Sequence, residues 1–299
     1  TGLQWFPVLA PDGAGGGFVA WEDWRAGQPS RAVYLQHITS SGLIAAGWPL
    51  NGLHVAVAPG QQVFPSIVSD GSGGVFLSWI DTRNGATSVS DTYGIRVDGD
   101  GVPLPGWATG GNPICLADGG QSASQLALDS EGGVFVAFDD FRTALPSNPF
   151  EEFHRNIYCT RMTGSGSIHP DWPADGLPIC TAPQTQQALQ IAPDGAGGLY
   201  LAWQDNRDSD YDVYLQRVRP DATLAPGWPA GGLRPLPSLS GFQLHPHLAP
   251  DGEAWTFHVA GIYESSGSAV DNNTMFFHWD YFQKSFEAVA GGETPGTGM

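Results

Sequence analysis

Lysine is almost absent from this chain. Of 299 residues Lys284 is the only lysine, and 12 Lys and Arg stand against 30 Asp and Glu, a formal net charge of −18. Such a surface repels phosphate backbones and anionic headgroups, so neither nucleic acid nor an anionic membrane surface is expected as a partner. Acidity of this kind keeps a secreted protein soluble and can weakly collect divalent cations. Charge of either sign is scarce, at 14% of residues. No apolar run reaches the roughly 18 residues that a membrane-spanning helix needs. Cysteine is limited to Cys115, Cys159 and Cys180, too few for a disulfide scaffold. A Gly-rich phosphate loop, a nucleophile elbow and a zinc-protease motif are also missing. No catalytic constellation is legible, and the chain reads as non-enzymatic.

What is abundant is glycine (41), proline (24) and aromatic residues: 11 Trp, 15 Phe and 8 Tyr. Many short strands joined by tight turns have this profile; helices do not. The strongest feature is a repeat. Gln4, Gln62, Gln121, Gln186 and Gln243 each stand eight residues before an aspartate (Asp12, Asp70, Asp129, Asp194, Asp251), and successive aspartates lie 58, 59, 65 and 57 residues apart. In four repeats the aspartate opens a turn (PDGAGG, SDGSGG, DSEGG, PDGAGG), and an aromatic follows nine residues on: Trp21, Trp79, Phe138, Trp203. W-x-D-x-R comes next, giving Asp23/Arg25, Asp81/Arg83, Asp140/Arg142 and Asp205/Arg207. A fixed period sets the architecture before any local motif is weighed.

Repeat two shows one unit most clearly. VFPSIVSD, GVFLSWID, DTYGIRVDGDG and NPICLA read as four strands, joined by DGSGG, DTRNG and the longer VPLPGWATGG. Alternation along the second strand puts Phe76 and Ser78 on one face and Leu77 and Trp79 on the other, so both faces are apolar or small. A sheet covered on both sides without helices must be sandwiched between sheets, which radial stacking of blades achieves. The expectation is an all-β, five-bladed β-propeller of four-stranded antiparallel blades, about 58 residues per unit. One domain spans 1–290, with units at about 4–61, 62–120, 121–184, 185–241 and 242–290. Residues 291–299 read as a linker or disordered tail. Repeat five departs from the pattern, and repeat three carries the insertion TALPSNPFEEFHRN, a protruding loop.

The recurring residues need structural readings beside functional ones. The Asp/Arg pairs close hairpins, with each guanidinium bridging to its own carboxylate or to the next blade. The five glutamines form an axial ring in which both amide ends satisfy backbone groups of two blades; a channel mouth contacting a ligand or ion is the alternative. Trp48, Trp107, Trp172 and Trp228, each four residues before a glycine, either cap the blade edge or stack on sugar rings. Cys115 and Cys180 share one place in successive repeats, filled elsewhere by Ala56 and Leu236, which suits a small buried residue; a Cys159–Cys180 disulfide is the sharper alternative. His245 and His247 share a strand face without an identifiable third metal ligand. No cofactor is expected, although the acidic turns Asp98/Asp100 and Asp205–Asp212 leave a weak possibility of calcium. Glu151 and Glu152 in the repeat-three insertion are candidate acids, and Asn272-Asn273-Thr274 is a glycosylation sequon.

DGAGGGFVAWEDWR and DGAGGLYLAWQDNR, followed by VYLQ and the GWP loop, resemble a repeat of large exported proteins of Gram-negative bacteria. The resemblance covers residues 4 to about 240. It implies a propeller-like ectodomain and an exported, extracellular or cell-surface location, and the absence of an initiator Met and signal peptide adds the expectation of a mature or excised segment. A looser likeness joins the aspartate turns to the sialidase Asp-box, S-x-D-x-G-x-x-W. Here the aspartate lies nine residues before the aromatic and the arginines recur once per blade, so sialidase activity is not carried over. The expected function is a non-enzymatic structural, adhesive or protein-interaction module of a larger surface assembly. Its partners are other subunits or modules of that assembly, or glycans. One alternative is a lectin-like glycan binder using the loop tryptophans; another is a glycoside-acting enzyme with acidic residues at one axial mouth.

Overall fold

The computed structural model describes residues 2–25, 31–85, 89–143, 154–235, 242–250, 256–264, 273–280 and 285–289, with the backbone alone from 249 onward. Among them the secondary structure is β only, and every strand pair is antiparallel. The chain divides into two compact units, Thr1–Thr181 and Ala182–Met299. The repeat-three segment 144–153, with Glu151 and Glu152, lies outside the described residues, as do Leu236, Asp251, Asn272 and the tail.

The N-terminal unit holds three four-stranded sheets. Sheet one is β1 (Gln4–Pro11), β2 (Gly17–Asp23), β3 (Ala32–Ile38) and β4 (Leu53–His54). Sheet two is β5 (Gln62–Ser69), β6 (Val75–Asp81), β7 (Asp91–Val97) and β8 (Asn112–Cys115). Sheet three is β9 (Gln121–Leu128), β10 (Val134–Asp140), β11 (Asn156–Met162) and β12 (Leu177–Cys180). The C-terminal unit holds β13 (Gln186–Pro193), β14 (Leu199–Asp205) and β15 (Asp212–Val218) in a three-stranded sheet, and β16 (Phe242–Pro250), β17 (Thr256–Glu264), β18 (Asn273–Asp280) and β19 (Ser285–Val289) in a four-stranded one. In all five the strands follow chain order. The expected fourth strand is absent from the β13–β15 sheet among the described residues; Leu233 makes only an isolated bridge to Leu215.

The first hairpin of each of the first four repeats is built by its aspartate. Asp70 Oδ1 accepts the backbone N–H groups of Ser72 and Gly74, both at 2.8 Å, and Asp12, Asp129 and Asp194 do the same. Two glycines follow for separate reasons. Gly73 has a φ of 88°, a region that side chains resist. Gly74 has ordinary φ, but a Cβ there would sit 2.3 Å from the Val97 carbonyl.

The second aspartate Oδ oxygen fixes the third strand. Asp70, Asp129 and Asp194 pair with Arg96, Arg161 and Arg217 at 2.7–2.9 Å. Each guanidinium lies 4.8–5.6 Å above the aromatic that opens its sheet's second strand, Phe76, Phe135 or Tyr200. Sheet one substitutes His37, 3.0 Å from Asp12 and stacked on Phe18 at 4.2 Å.

Every residue of β6, β10 and β14 is buried, so both faces of those sheets are covered. In the N-terminal unit, β5 packs against β1, β2 and β3, and β9 packs against β5, β6 and β7. Sheets one, two and three are therefore stacked face to face around one apolar core that includes Phe18, Phe76, Trp79 and Phe138. Within the C-terminal unit β16 packs on β13, β14 and β15 in the same manner. The other face of sheet one is partly open: Val19 and Trp21 are half-buried and Leu9 and Leu50 exposed.

Candidate functional site

The W-x-D-x-R residues form a closed bonding set in each repeat. Asp81 Oδ2 accepts the Trp79 indole N–H at 2.9 Å and Arg83 at 2.6 Å, while its Oδ1 accepts the Arg83 backbone N–H at 2.8 Å. Asp23 and Asp205 repeat the pattern; Asp140, whose repeat has Phe138 in place of the tryptophan, keeps only the Arg142 bonds and a 3.4 Å contact from Gln121. The guanidiniums of Arg25, Arg83, Arg142 and Arg207 stack 3.8–4.0 Å over Tyr34, Tyr93, Tyr158 and Tyr214. Arg83, Arg142 and Arg207 each also donate an Nη2 hydrogen to the Trp loop of their own repeat, at Gly110 O, Asp175 O and Gly231 O.

The loop tryptophans correct the sugar-platform expectation. Trp48, Trp107, Trp172 and Trp228 are only 5–7% exposed and pack on Phe18, Phe76, Phe135 and Tyr200. The Trp48 and Trp107 indoles donate to the Gly99 and Gly164 carbonyls of the following hairpin at 3.0 Å, pinning one sheet to the next. A ring face buried this way cannot meet a sugar. The glycine four residues on follows from the same packing: at Gly111 φ is 89°, and a Cβ would lie 2.5 Å from the Trp79 ring.

The glutamines do not behave as one ring. Gln62, Gln121 and Gln186 are buried and donate to carbonyls of their own approach segment, such as Pro59, Ala117 and Pro183. Gln4 is exposed. Gln243 alone reaches a neighbouring strand set, donating to Asp212 and accepting from the Val213 N–H. The disulfide expectation is also corrected: Cys115, Cys159 and Cys180 are buried and form no disulfide among the described residues, and register places Cys180 opposite Ile157 while Cys159 faces Leu177. Burial pushes the Cys115 thiol up to about 12 and the Cys159 thiol higher still, so neither is a thiolate at neutral pH.

A bulge falls between His245 and His247, which breaks the alternation that would have put them on one face. No cluster of three His, Cys, Asp or Glu side chains able to hold a metal occurs among the described residues. Two carboxylates of the acidic turns are spent internally. Asp98 closes its own turn on Asp100 N and Val102 N, and Asp212 is held by Arg234 and Gln243.

Unlike groups do gather at one end of the N-terminal unit, where the first strands begin and the second strands finish. The residue before the W-x-D-x-R aspartate is Glu22, Ile80, Asp139 or Gln204, so sheets one and three carry a carboxyl there. Both are buried, Asp139 at 2% exposure. Each pairs with an arginine just before its third strand: Glu22 with Arg31 at 3.5 Å and Asp139 with Arg155 at 3.6 Å. Each arginine also faces the aromatic after the aspartate, Arg31 with Trp24 at 5.0 Å and Arg155 with Phe141 at 5.5 Å. Repeats two and four have Ser90 and Tyr211 for the arginine and Thr82 and Asn206 for the aromatic. The signal lies in the sequence as WEDWR and FDDFR against WIDTR and WQDNR, and attention to what recurs passes over it.

The two copies differ in one bond. Glu22 Oε1 accepts the Phe64 backbone N–H at 2.8 Å, tying sheet one to sheet two. Asp139 Oδ1 has no hydrogen-bond partner among the described residues. Burial, only partly offset by Arg155, pushes the Asp139 carboxyl up to about 7. It is thus a carboxylic acid still protonated at mildly acidic pH, with its cross-strand neighbour Ser122 beside it.

The same end carries exposed aromatic rings. All five first strands bulge at the second residue after the glutamine, where φ is 48–54° at Phe6, Phe64, Ala123, Ala188 and His245. Only sheets one and two place phenylalanine there, and those rings meet at 5.2 Å while 49% and 43% exposed. Trp5, 46% exposed and cross-strand from Glu22, adjoins Phe6 and Trp24.

No family description and no curated protein matches the sequence. Solved structures do. A mutant levansucrase from B. megaterium is 14% identical over 97% of this chain and 85% of that one, with a TM-score of 0.47. An endo-arabinase from Bacteroides thetaiotaomicron VPI-5482 is 15% identical over 92% and 93%, also at 0.47. An alpha-l-arabinofuranosidase from Fusarium graminearum is 9% identical over 90% and 73%, at 0.48. The likeness is consistent with a propeller-type fold; at these scores it assigns no residue and no reaction. The three named neighbours are glycoside-acting enzymes, which stands against the expectations of a non-enzymatic module and of no enzyme activity; those expectations are corrected, and the likeness carries no reaction over to this chain. Glu22 and Asp139 break the repetition on which the non-enzymatic reading rested, since repeats two and four hold Ile80 and Gln204 there.

Proposed function

We propose that the chain is a glycoside-acting enzyme that works at the end of the N-terminal unit where Glu22, Asp139 and the exposed aromatics lie. The five sheets are blades, of about 58 residues each, in one propeller over 1–290. The protein acts outside the cell or at its surface, and its partners are glycans. A net charge of −18 favours neutral glycans over anionic ones.

The observation that carries this reading is Asp139. Hydrolysis of a glycosidic bond needs a carboxylic acid that stays protonated to donate to the leaving oxygen, and a second carboxyl to support the other face of the sugar. Asp139 combines a raised proton affinity with a buried Oδ1 that has no partner among the described residues; at 2% exposure it takes the donor role only once substrate binding uncovers it. Glu22, anchored by Arg31 and the Phe64 N–H, is fixed at the same end with sheet two between it and Asp139, so the second carboxyl is not assigned to it. Arg155 limits how far burial raises Asp139, so the proton is still transferable near neutral pH.

The test is reducing-end release from a panel of neutral polysaccharides by wild type and Asp139→Asn. Wild type releases sugar at pH 5–6 and loses rate as pH rises through about 7, while Asp139→Asn loses about 100-fold or more. Tight binding without release in wild type would make the protein a glycan-binding module instead. Neither binding nor release would overturn the reading.

A further inference from the structure

The bulge in each first strand is a common structural device, but its side chain is not common. Repeats three and four carry Ala123 and Ala188 at a φ of 48° and 54°. A bulky side chain in that region is costly, of order a kcal/mol or more by general experience, and alanine shows that the bulge does not require one. Phe6 and Phe64 accept that conformation in adjacent sheets, touch each other at 5.2 Å and remain about half exposed. Packing alone does not explain two phenylalanines there, since nearly half of each side chain faces water.

The shelf continues into Trp5, 6.2 Å from Phe6, and Trp5 leans on Trp24 at 5.4 Å. Its border is polar. Arg31 donates to Gln61 Oε1 at 2.9 Å and faces Glu22. The buried Trp24 indole N–H has no acceptor among the described residues. Rings with open faces beside fixed hydrogen-bonding groups suit a ligand with C–H faces and hydroxyl edges. Charge narrows the occupant. With one lysine, a net charge of −18 and Arg31 already neutralised by Glu22, nucleic acids and anionic lipid surfaces are opposed.

We propose that Trp5, Phe6 and Phe64 form a stacking subsite for the ring of a neutral sugar, next to Glu22. This deepens the glycoside-acting reading and rests on it for the direction of the bound chain, though not for binding itself. Trp5 and the two phenylalanines present the ring faces; Arg31 and Gln61 meet the hydroxyls.

The experiment is calorimetric titration with a panel of neutral hexasaccharides (α- and β-glucan, mannan, arabinan and fructan), using wild type, Phe6→Ala, Phe64→Ala and Trp5→Ala. Ala123 and Ala188 already occupy the bulge position, so the two phenylalanine variants retain the fold, which a thermal melt verifies. At least one hexasaccharide binds wild type, and each variant weakens it by about 3- to 10-fold, the range expected for one stacked ring. Unchanged affinity in all three variants, or no binding by any hexasaccharide, overturns the subsite. Binding that depends on these rings in a wild type that releases no sugar leaves the subsite standing and removes the enzyme reading. Release whose KM is unaffected by Phe64→Ala does the reverse.

Discussion

Replacing Asp139 by asparagine exposes the energetics of the site without relying on any substrate. The carboxyl is raised from 3.8 to about 7 by burial, with Arg155 3.6 Å away as its one opposing charge. Between those values the native protein holds the proton and the unfolded chain has released it. The native state then binds more protons, so stability is full below pH 3.8 and falls as pH rises through about 7. Each tenfold gain in proton affinity is worth about 1.4 kcal/mol, which sets a ceiling of about 4 kcal/mol on the loss. Asparagine has nearly the same shape and no charge to desolvate, and Arg155, about one-third exposed, can turn to water. Asp139→Asn should therefore melt with wild type at pH 4 and above it at pH 8, by on the order of 5–10 °C if most of the ceiling is realised. Differential scanning calorimetry from pH 4 to 8 reads this directly. A variant less stable than wild type at pH 8 would mean that the Arg155 pairing outweighs burial and that Asp139 is ionised at neutral pH. It could not then serve as the proton donor.

Other perturbations separate scaffold from site. Asp81→Asn leaves the partly exposed Arg83 without its carboxylate and disrupts the buried Trp79–Asp81 bond, and should cost about 2 kcal/mol in urea unfolding; a change below about 0.5 kcal/mol would refute the structural role. Trp107→Phe removes the bond to Gly164 O, should cost about 1 kcal/mol, and should leave sugar affinity untouched. His37→Arg restores in sheet one the pairing that Arg96, Arg161 and Arg217 make elsewhere, and should raise the melting temperature at pH 8 by about 2 °C; a lower melting temperature would show that the His37–Phe18 stack is the better contact.

The repeat made the scaffold legible because its determinants are local. An aspartate that binds the N–H groups two and four residues on, and a Gly-Gly pair that follows it, are readable from spacing alone. The same holds for both-face burial of β6, β10 and β14. The fate of Trp48 and its counterparts was not legible, because the sequence shows an indole in a Gly/Pro loop but not the sheet edge it folds onto. The position opposite Cys159 is set by the register shift between Ile157 and Tyr158, which no composition reveals. The Phe6 and Phe64 bulges hide for a similar reason: a strand read as plain alternation gives no hint that one residue takes positive φ. Glu22 and Asp139 were legible in principle. They sit where the other repeats hold Ile80 and Gln204, and comparing what differs between repeats, rather than what recurs, would have singled them out along with Arg31 and Arg155.

The most direct measurement is a crystal structure with a neutral oligosaccharide bound. The account predicts a sugar ring laid against Phe6 and Phe64 at the end of the N-terminal unit where Glu22 and Asp139 lie. A sugar seated instead in the loops of Trp48 or Trp107, or density free of sugar at saturating concentration, would contradict it.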